Sequence, residues 1–209
     1  MLVIGLTGGI GMGKSAAADH FTRRGVPVFS ADACVHRLYE GEAVSAIEAA
    51  FPGVAREGRV DRKLLATQVT GHPDRLRRLE SIVHPMVVKA EIDFLREQER
   101  KDARMAVLDI PLLFETGAEK RVDVTIVVSA PAHVQQKRVL ERPGMTAEKL
   151  EHLLARQLSD EERRARADFV VDSGRGLSHM HCELDRLIDE SLKSREDRVM
   201  ERLRHSYTD

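Results

Sequence analysis

The octapeptide Gly8-Gly9-Ile10-Gly11-Met12-Gly13-Lys14-Ser15 follows the apolar stretch Leu2 to Leu6 and runs into a helical pattern that begins near Lys14. Strand, glycine loop and helix in that order make a phosphate cradle. Glycine reaches positive φ and brings no Cβ into the space a phosphate needs, so successive backbone N–H groups from Gly11 to Ala16 can converge on one anion. The helix adds the positive end of its dipole. In such a cradle Lys14 neutralises the β- and γ-phosphate oxygens as a point charge. The Ser15 hydroxyl ligands a magnesium ion held mainly by phosphates and water. The chain is therefore expected to bind ATP or a related nucleoside triphosphate through Gly11, Met12, Gly13, Lys14, Ser15 and Ala16.

Working outward from the loop, short β-branched runs recur between helical patterns at Leu2 to Thr7, Val26 to Phe29, Met105 to Ile110, Val122 to Ser129 and Phe169 to Asp172. They read as five parallel strands. With helices between them, the expected architecture is α/β: a doubly wound, five-stranded parallel sheet of the P-loop NTPase type, with ligands at the carboxyl ends of the strands. Residues 1–209 read as one P-loop domain with two excursions. The first, 32–102, holds about three helical patterns and no strand, punctuated by Phe51-Pro52-Gly53, Glu57-Gly58 and Gly71-His72-Pro73. It is too long for one crossover and is expected to be a helical acceptor-substrate subdomain. Its last helix should run from about Pro73 to Arg100, with Pro85 marking a kink or a restart. The second excursion, 137–167, is crowded with Arg138, Arg142, Arg156, Arg163, Arg164 and Arg166 around a Pro143-Gly144 break, and reads as a helical lid. Leu184, Leu187, Ile188, Leu192, Val199 and Leu203 trace a terminal amphipathic helix, followed by a frayed tail from His205.

The 209 residues suffice for one substantial core, and 33 basic against 34 acidic residues give a net charge of -1. No global field is available to hold a nucleic acid or an anionic membrane, so an anionic ligand must be met locally. Cys34 and Cys182 stand far apart, which argues for reduced thiols in the cytoplasm and against a disulfide framework or a zinc site. No run approaches a membrane span, and the N-terminal apolar run lacks the charged lead of a signal peptide.

Further positions carry candidate chemistry. Asp32, just past the second strand, suits a general base that orients an acceptor hydroxyl. A helix N-cap is the competing role. Asp109 ends an apolar strand as a magnesium-shell acid does, although aspartates there also form turns. Arg138 and Arg142, four residues apart, would share one helical face and clamp phosphates as a lid closes, or simply form a solvated face. His84-Pro85 lies inside a helical pattern that favours neither residue, which marks either a site or a bend. Glu115 could neighbour Asp109 in that magnesium shell or equally lie at the surface, and reads as surface. Arg163, Arg164 and Arg166 read as solvent-facing partners of Asp160, Glu161 and Glu162.

Thr7 to Ser15, Ser30-Ala31-Asp32-Ala33, Ile82-Val83-His84-Pro85, Leu108-Asp109-Ile110-Pro111-Leu112-Leu113-Phe114-Glu115 and Ala167-Asp168-Phe169-Val170-Val171-Asp172 together resemble the dephospho-CoA kinase family over nearly the full chain. The resemblance implies transfer of the ATP γ-phosphate to the ribose 3′-hydroxyl of dephospho-CoA, with magnesium. It implies Asp32 as base, Lys14 and Ser15 on phosphates and metal, Arg138 as the lid arginine, and His84 lining the acceptor site. The sequence departs from the family pattern at Ala16, where Thr is usual, and at Ser173, where many members carry Asn after Asp172. An adenine contact from the side chain at 173 is thereby put in doubt. Another small-molecule kinase of the nucleoside monophosphate or shikimate type would share the loop, but not the long insertion after Asp32. A guanine-specific switch would need an Asn-Lys-x-Asp signature, and the chain contains no Asn. An ATP-binding regulator without acceptor turnover is the remaining alternative.

Overall fold

The computed structural model describes residues 1–155 and 157–190. They fall into two compact units: Met1–Val28 with the chain from Ala103 onward, and Phe29–Asp102. Arg156, Leu192, Val199, Leu203 and the tail from His205 lie outside the described residues.

The first unit begins with β1 (Leu2–Thr7) and α1 (Lys14–Arg23), and β2 (Val28–Ser30) crosses into the second. Within the second come α2 (Ala31–Tyr39), α3 (Val44–Ala50), β3 (Ala55–Arg56), β4 (Arg59–Val60), α4 (Arg62–Val69) and α5 (Pro73–Arg100). The first unit resumes with β5 (Met105–Asp109), β6 (Val124–Ser129), α6 (Ala132–Leu140), α7 (Ala147–Leu154), α8 (Asp160–Arg166) and β7 (Phe169–Asp172). Residues 177–190 are helical.

The five predicted strands form one sheet in the order β2-β5-β1-β6-β7. β1 pairs in parallel with β5, Leu6 opposite Asp109, and with β6, while β6 pairs in parallel with β7. The early connections fall on one side of β1 and the later ones on the other. The strand order therefore reverses at the carboxyl end of β1, where open α/β sheets bind ligands.

Alternate strand residues face opposite layers. Ile4, Leu6, Val107, Ile126, Val128 and Val171 pack with Ala17 and Phe21 of α1 and with Met180, Leu184 and Ile188 of the helix at 177–190. On the other face, a Cβ at Gly5 would stand 3.1 Å from Leu113 and Val122, so the chain between β5 and β6 closes directly onto the backbone of β1. Burial on both faces explains why these strands read as continuous apolar runs.

In the second unit, caps and turns punctuate the helices. Ser30 accepts from Ala33 N–H and caps α2, and Asp61 accepts from Lys63 and Leu64 N–H and caps α4. α5 has the bounds its periodicity predicts, and it continues through Pro85 without a restart. One element departs from expectation: the segment read as strandless carries an antiparallel hairpin, Ala55 opposite Val60. Glu57 (φ 49°) and Gly58 (φ 76°) form its two-residue turn, the positive-φ pair that matches the twist of a short hairpin. Cys34 and Cys182 are free thiols. Among the described residues, no helix is long and apolar enough to cross a membrane.

Candidate active site

The glycine loop leaves β1 at Thr7, whose hydroxyl donates to the Pro111 carbonyl at 3.0 Å. Gly11 (φ 75°) and Gly13 (φ 94°) adopt the left-handed conformation, and Gly13 occupies the N-cap position of α1. Ala17 N–H donates to the Gly13 carbonyl. The amides before it belong to the first turn, where a helix supplies no internal acceptor and an anion can. Packing demands glycine here as strongly as the phosphate does. A Cβ at Gly8 would lie 2.7 Å from the Val128 carbonyl, and one at Gly11 would lie 2.5 Å from Val139 of α6.

Lys14 Nζ lies 2.6 Å from Asp109 Oδ1, and both side chains are largely buried, at 13% and 9% exposed. The parallel register that sets Leu6 beside Asp109 brings this acid to the loop. The structure thus joins the predicted cradle lysine to the predicted magnesium-shell acid, and Ser15 is exposed in the first turn of α1. Among the described residues, no group of three or more His, Cys, Asp or Glu is gathered to hold a metal. Magnesium bound mostly by phosphates and water needs only one or two protein oxygens, so Ser15 and Asp109 fit it.

Around the loop lies a polar collar that the sequence reading assigned differently. Arg138 donates through Nη1 to Ser173 Oγ at 2.9 Å and through Nη2 to the Ser173 carbonyl at 2.7 Å, with a longer contact to the Gly11 carbonyl at 3.4 Å. Ser173 Oγ in turn donates to the Met12 carbonyl at 2.6 Å. The hydroxyl at 173 is therefore committed to the phosphate loop. Gln135 Nε2 donates to the Ile10 carbonyl at 2.8 Å, and the Ile10 amide donates to Gln157 at 3.4 Å.

Two expectations are overturned in this collar. Arg163 is not solvent-facing but 2% exposed, and its Nη2 donates to Glu115 Oε1 at 2.9 Å. Glu115 is correspondingly not a surface residue: its side chain is 17% exposed, and the same oxygen accepts from Leu158 N–H at 3.0 Å. A Cβ at Gly9 would stand 3.0 Å from Arg163 Nη1, so this ion pair backs the loop. Two of the acids expected to pair with the arginines, Asp160 and Glu162, are held by serines instead. Glu162 closes a capping box with Ser159, Asp160 accepts from Ser129 Oγ, and Arg166 meets Glu119 and lies over Phe114. Hydrogen bonds from the Ser159 hydroxyl and N–H hold the Glu162 carboxyl below the usual range.

Arg142 does not share a helical face with Arg138, because α6 ends at Leu140 and Arg142 is exposed beyond it. The residue before a proline disfavours helical backbone, and Pro143 follows. In the second unit Asp32 is exposed at the second position of α2. Its competing role as N-cap is filled by Ser30. Asp32 lines a cleft of about 430 Å³ together with Val35, His36, Tyr39, Arg62, Leu65, Ala66, Val69 and Leu79. His84 lies on the exposed side of α5 and is not among the residues lining that cleft.

A glycine loop at the reversal point of a parallel sheet, with its lysine bonded to the acid ending the adjacent strand, is built for the phosphates of a nucleotide, and it makes this a P-loop protein. Comparison with known proteins narrows the class. The family model described as dephospho-CoA kinase matches residues 2–178. A dephospho-CoA kinase of Rhodopseudomonas palustris (strain HaA2) is 54% identical over 189 residues, covering 90% of this chain and 95% of that one. The crystal structure of TT1252 from Thermus thermophilus superposes with a TM-score of 0.79 at 35% identity, covering 90% of this chain and 97% of that one. A dephospho-CoA kinase from Campylobacter jejuni, at 24% identity and TM-score 0.71, covering 92% and 98%, shares the fold. The chain belongs to the dephospho-CoA kinase family.

Proposed function

We propose that this protein transfers the γ-phosphate of ATP to the ribose 3′-hydroxyl of dephospho-CoA, yielding coenzyme A and ADP. The observation that carries the reading is the Lys14–Asp109 pair at the mouth of the glycine loop, in a chain of this family. Phosphoryl transfer passes through a loose transition state, so catalysis is mainly positioning and charge stabilisation. Backbone amides from Gly11 to Ala16 hold the phosphates, and Lys14 spreads the charge that develops on the bridging and terminal oxygens. Ser15 and Asp109 would hold magnesium, which when bound neutralises β- and γ-oxygens. Arg138 supplies a second positive charge from α6. Arg142, on the exposed corner before Pro143, and His84 are assigned to the bound substrates, and residues 137–167 to a lid over them.

The cleft of the second unit suits the acceptor, since it combines apolar walls from Leu65, Val69 and Leu79 with the polar groups of His36, Tyr39 and Arg62. Asp32 at that cleft would orient the 3′-hydroxyl and take its proton late in the transfer. An activity that consumes ATP and a CoA precursor fits the cytoplasm, the compartment assigned to the protein in this reading. The test is mass spectrometry of dephospho-CoA incubated with ATP, magnesium and protein, with Asp32→Asn alongside. A product heavier by one phosphoryl group is expected, with kcat lower by about 10²-fold or more in Asp32→Asn. Absence of product with wild-type protein would overturn the activity. A change confined to the KM of the acceptor would reduce Asp32 to a binding role.

A further inference from the structure

The turn that follows β7 is held on several sides. Ser173 N–H donates to the Ser129 carbonyl at 2.8 Å, Asp172 N–H donates to Glu183 at 2.8 Å, and Asp172 Oδ1 accepts from Gly174 N–H at 2.7 Å. A Cβ on Gly174 would stand 2.4 Å from Pro131, so the backbone there is tight against the start of α6. Ser173 itself is 2% exposed, and a Cβ on Gly13 would come within 3.2 Å of its Cβ and Oγ. Position 173 is thus a fixed post beside the phosphate loop. Arg138, by contrast, is a long side chain on α6 whose guanidinium has many rotamers open to it.

We propose that Ser173 is a positioning residue, which pins the Arg138 guanidinium against the Gly11–Met12 segment and so sets where that charge meets the transferred phosphate. The geometry is specific to this arrangement. One edge of the guanidinium takes both oxygens of Ser173, at 2.9 and 2.7 Å, while the same hydroxyl spends its proton on the Met12 carbonyl at 2.6 Å. The hydroxyl therefore couples loop and arginine in one chain of hydrogen bonds, and a guanidinium anchored along one edge leaves its remaining N–H groups directed at one place. An alanine at 173 keeps the carbonyl contact but cuts both hydroxyl links. The inference rests on the kinase reading above and on Arg138 as part of its machinery.

The test is steady-state transfer from ATP to dephospho-CoA by wild type, Ser173→Ala, Ser173→Thr, Arg138→Ala and the Ser173→Ala/Arg138→Ala double variant, with unfolding midpoints measured in parallel. Ser173→Ala should lower kcat about tenfold, as expected of directly bonded partners, and leave the KM for dephospho-CoA within about twofold. Ser173→Thr, which retains the hydroxyl, should recover most of the loss. On the Arg138→Ala background the alanine at 173 should cost under about twofold more, because the group it positions is already gone. An active wild type with an indifferent Ser173→Ala would overturn the inference alone. So would the full Ser173→Ala loss repeated without Arg138, or a lowered midpoint with kcat intact. A wild type that turns over no dephospho-CoA would overturn the activity and the inference together.

Discussion

Arg163 and Glu115 illustrate what a charged side chain does when it is taken out of water. Each would be costly to bury alone, and the 2.9 Å contact between them behind Gly9 is what makes their burial tolerable. Breaking such a pair from one side leaves an uncompensated buried charge, so Arg163→Ala should destabilise the protein by about 3–5 kcal/mol. Replacing both partners by apolar residues of similar volume should cost much less. Urea unfolding of Arg163→Ala and of an Arg163→Met/Glu115→Leu double variant checks this, and equal losses in the two would contradict the ion-pair account. The residues of the cradle were legible in the chain because Gly11, Gly13, Lys14 and Ser15 owe their identity to fixed spacing and backbone conformation. Arg163 was not legible. Within Asp160-Glu161-Glu162-Arg163-Arg164 every residue is charged, and composition cannot say which one the helix turns inward. Ser173 was noticed as a departure from the family pattern, but its bonds to Met12 and Arg138 join residues 161 and 35 positions apart, which no local pattern carries.

At the scale of elements, long periodic segments were readable and very short ones were not. α5 met its expected bounds because Pro73 opens it at the first helical position and an apolar stripe continues to Arg100. The β3–β4 hairpin escaped because strands of two residues show no alternation, and only Glu57-Gly58 marked it. α6 stops at Leu140 for a reason visible in the chain, Pro143 after Arg142, which the four-residue spacing of the arginines overrode in the reading. Pro85 gives a quantitative check. A proline inside a continuous helix lacks the N–H that would bond the carbonyl four residues earlier, at Ser81, and its ring crowds that carbonyl. Pro85 is also exposed, so its ring contributes little packing. Pro85→Ala should therefore raise stability, by up to about 3 kcal/mol, measured as a shift in the urea midpoint at unchanged m-value. A fall in stability would mean that the ring is packed in a way its exposure hides.

For the whole molecule, the shifted carboxylates and the shifted imidazole agree in direction, while burial pushes the Cys34 thiol and the Tyr39 phenol up. The Thr125 hydroxyl and N–H hold the Asp168 carboxyl below its usual range, joining β7 to β6. The Gly53 and Ala55 amides do the same for Glu48. A carboxylate whose folded pKa is depressed contributes stability that is present above its unfolded value and lost as pH falls through the folded one. His181, stacked on His20 at 4.2 Å, is shifted downward by desolvation, then by the charges of His20 and Arg23. A depressed imidazole likewise favours the folded state above its ordinary value of about 6.5 and loses that contribution as pH falls below it. Stability should thus be level between about pH 7 and 8, decline first through the histidine range as pH falls, and decline again below about pH 4. Urea unfolding from pH 8 to 3.5 checks the profile, and His181→Gln should remove the first decline while leaving the second.

The strand order has a temporal meaning as well. Leu2 to Leu6 are made well before their sheet partners, which begin at Met105 on one side and Val124 on the other, while β2, made sooner, is not their neighbour. Everything between β1 and β5 must be synthesised before the central strand can be paired on either side. Through that interval a nascent chain carries an unpaired apolar strand, which makes synthesis a stage at which this protein is exposed to aggregation.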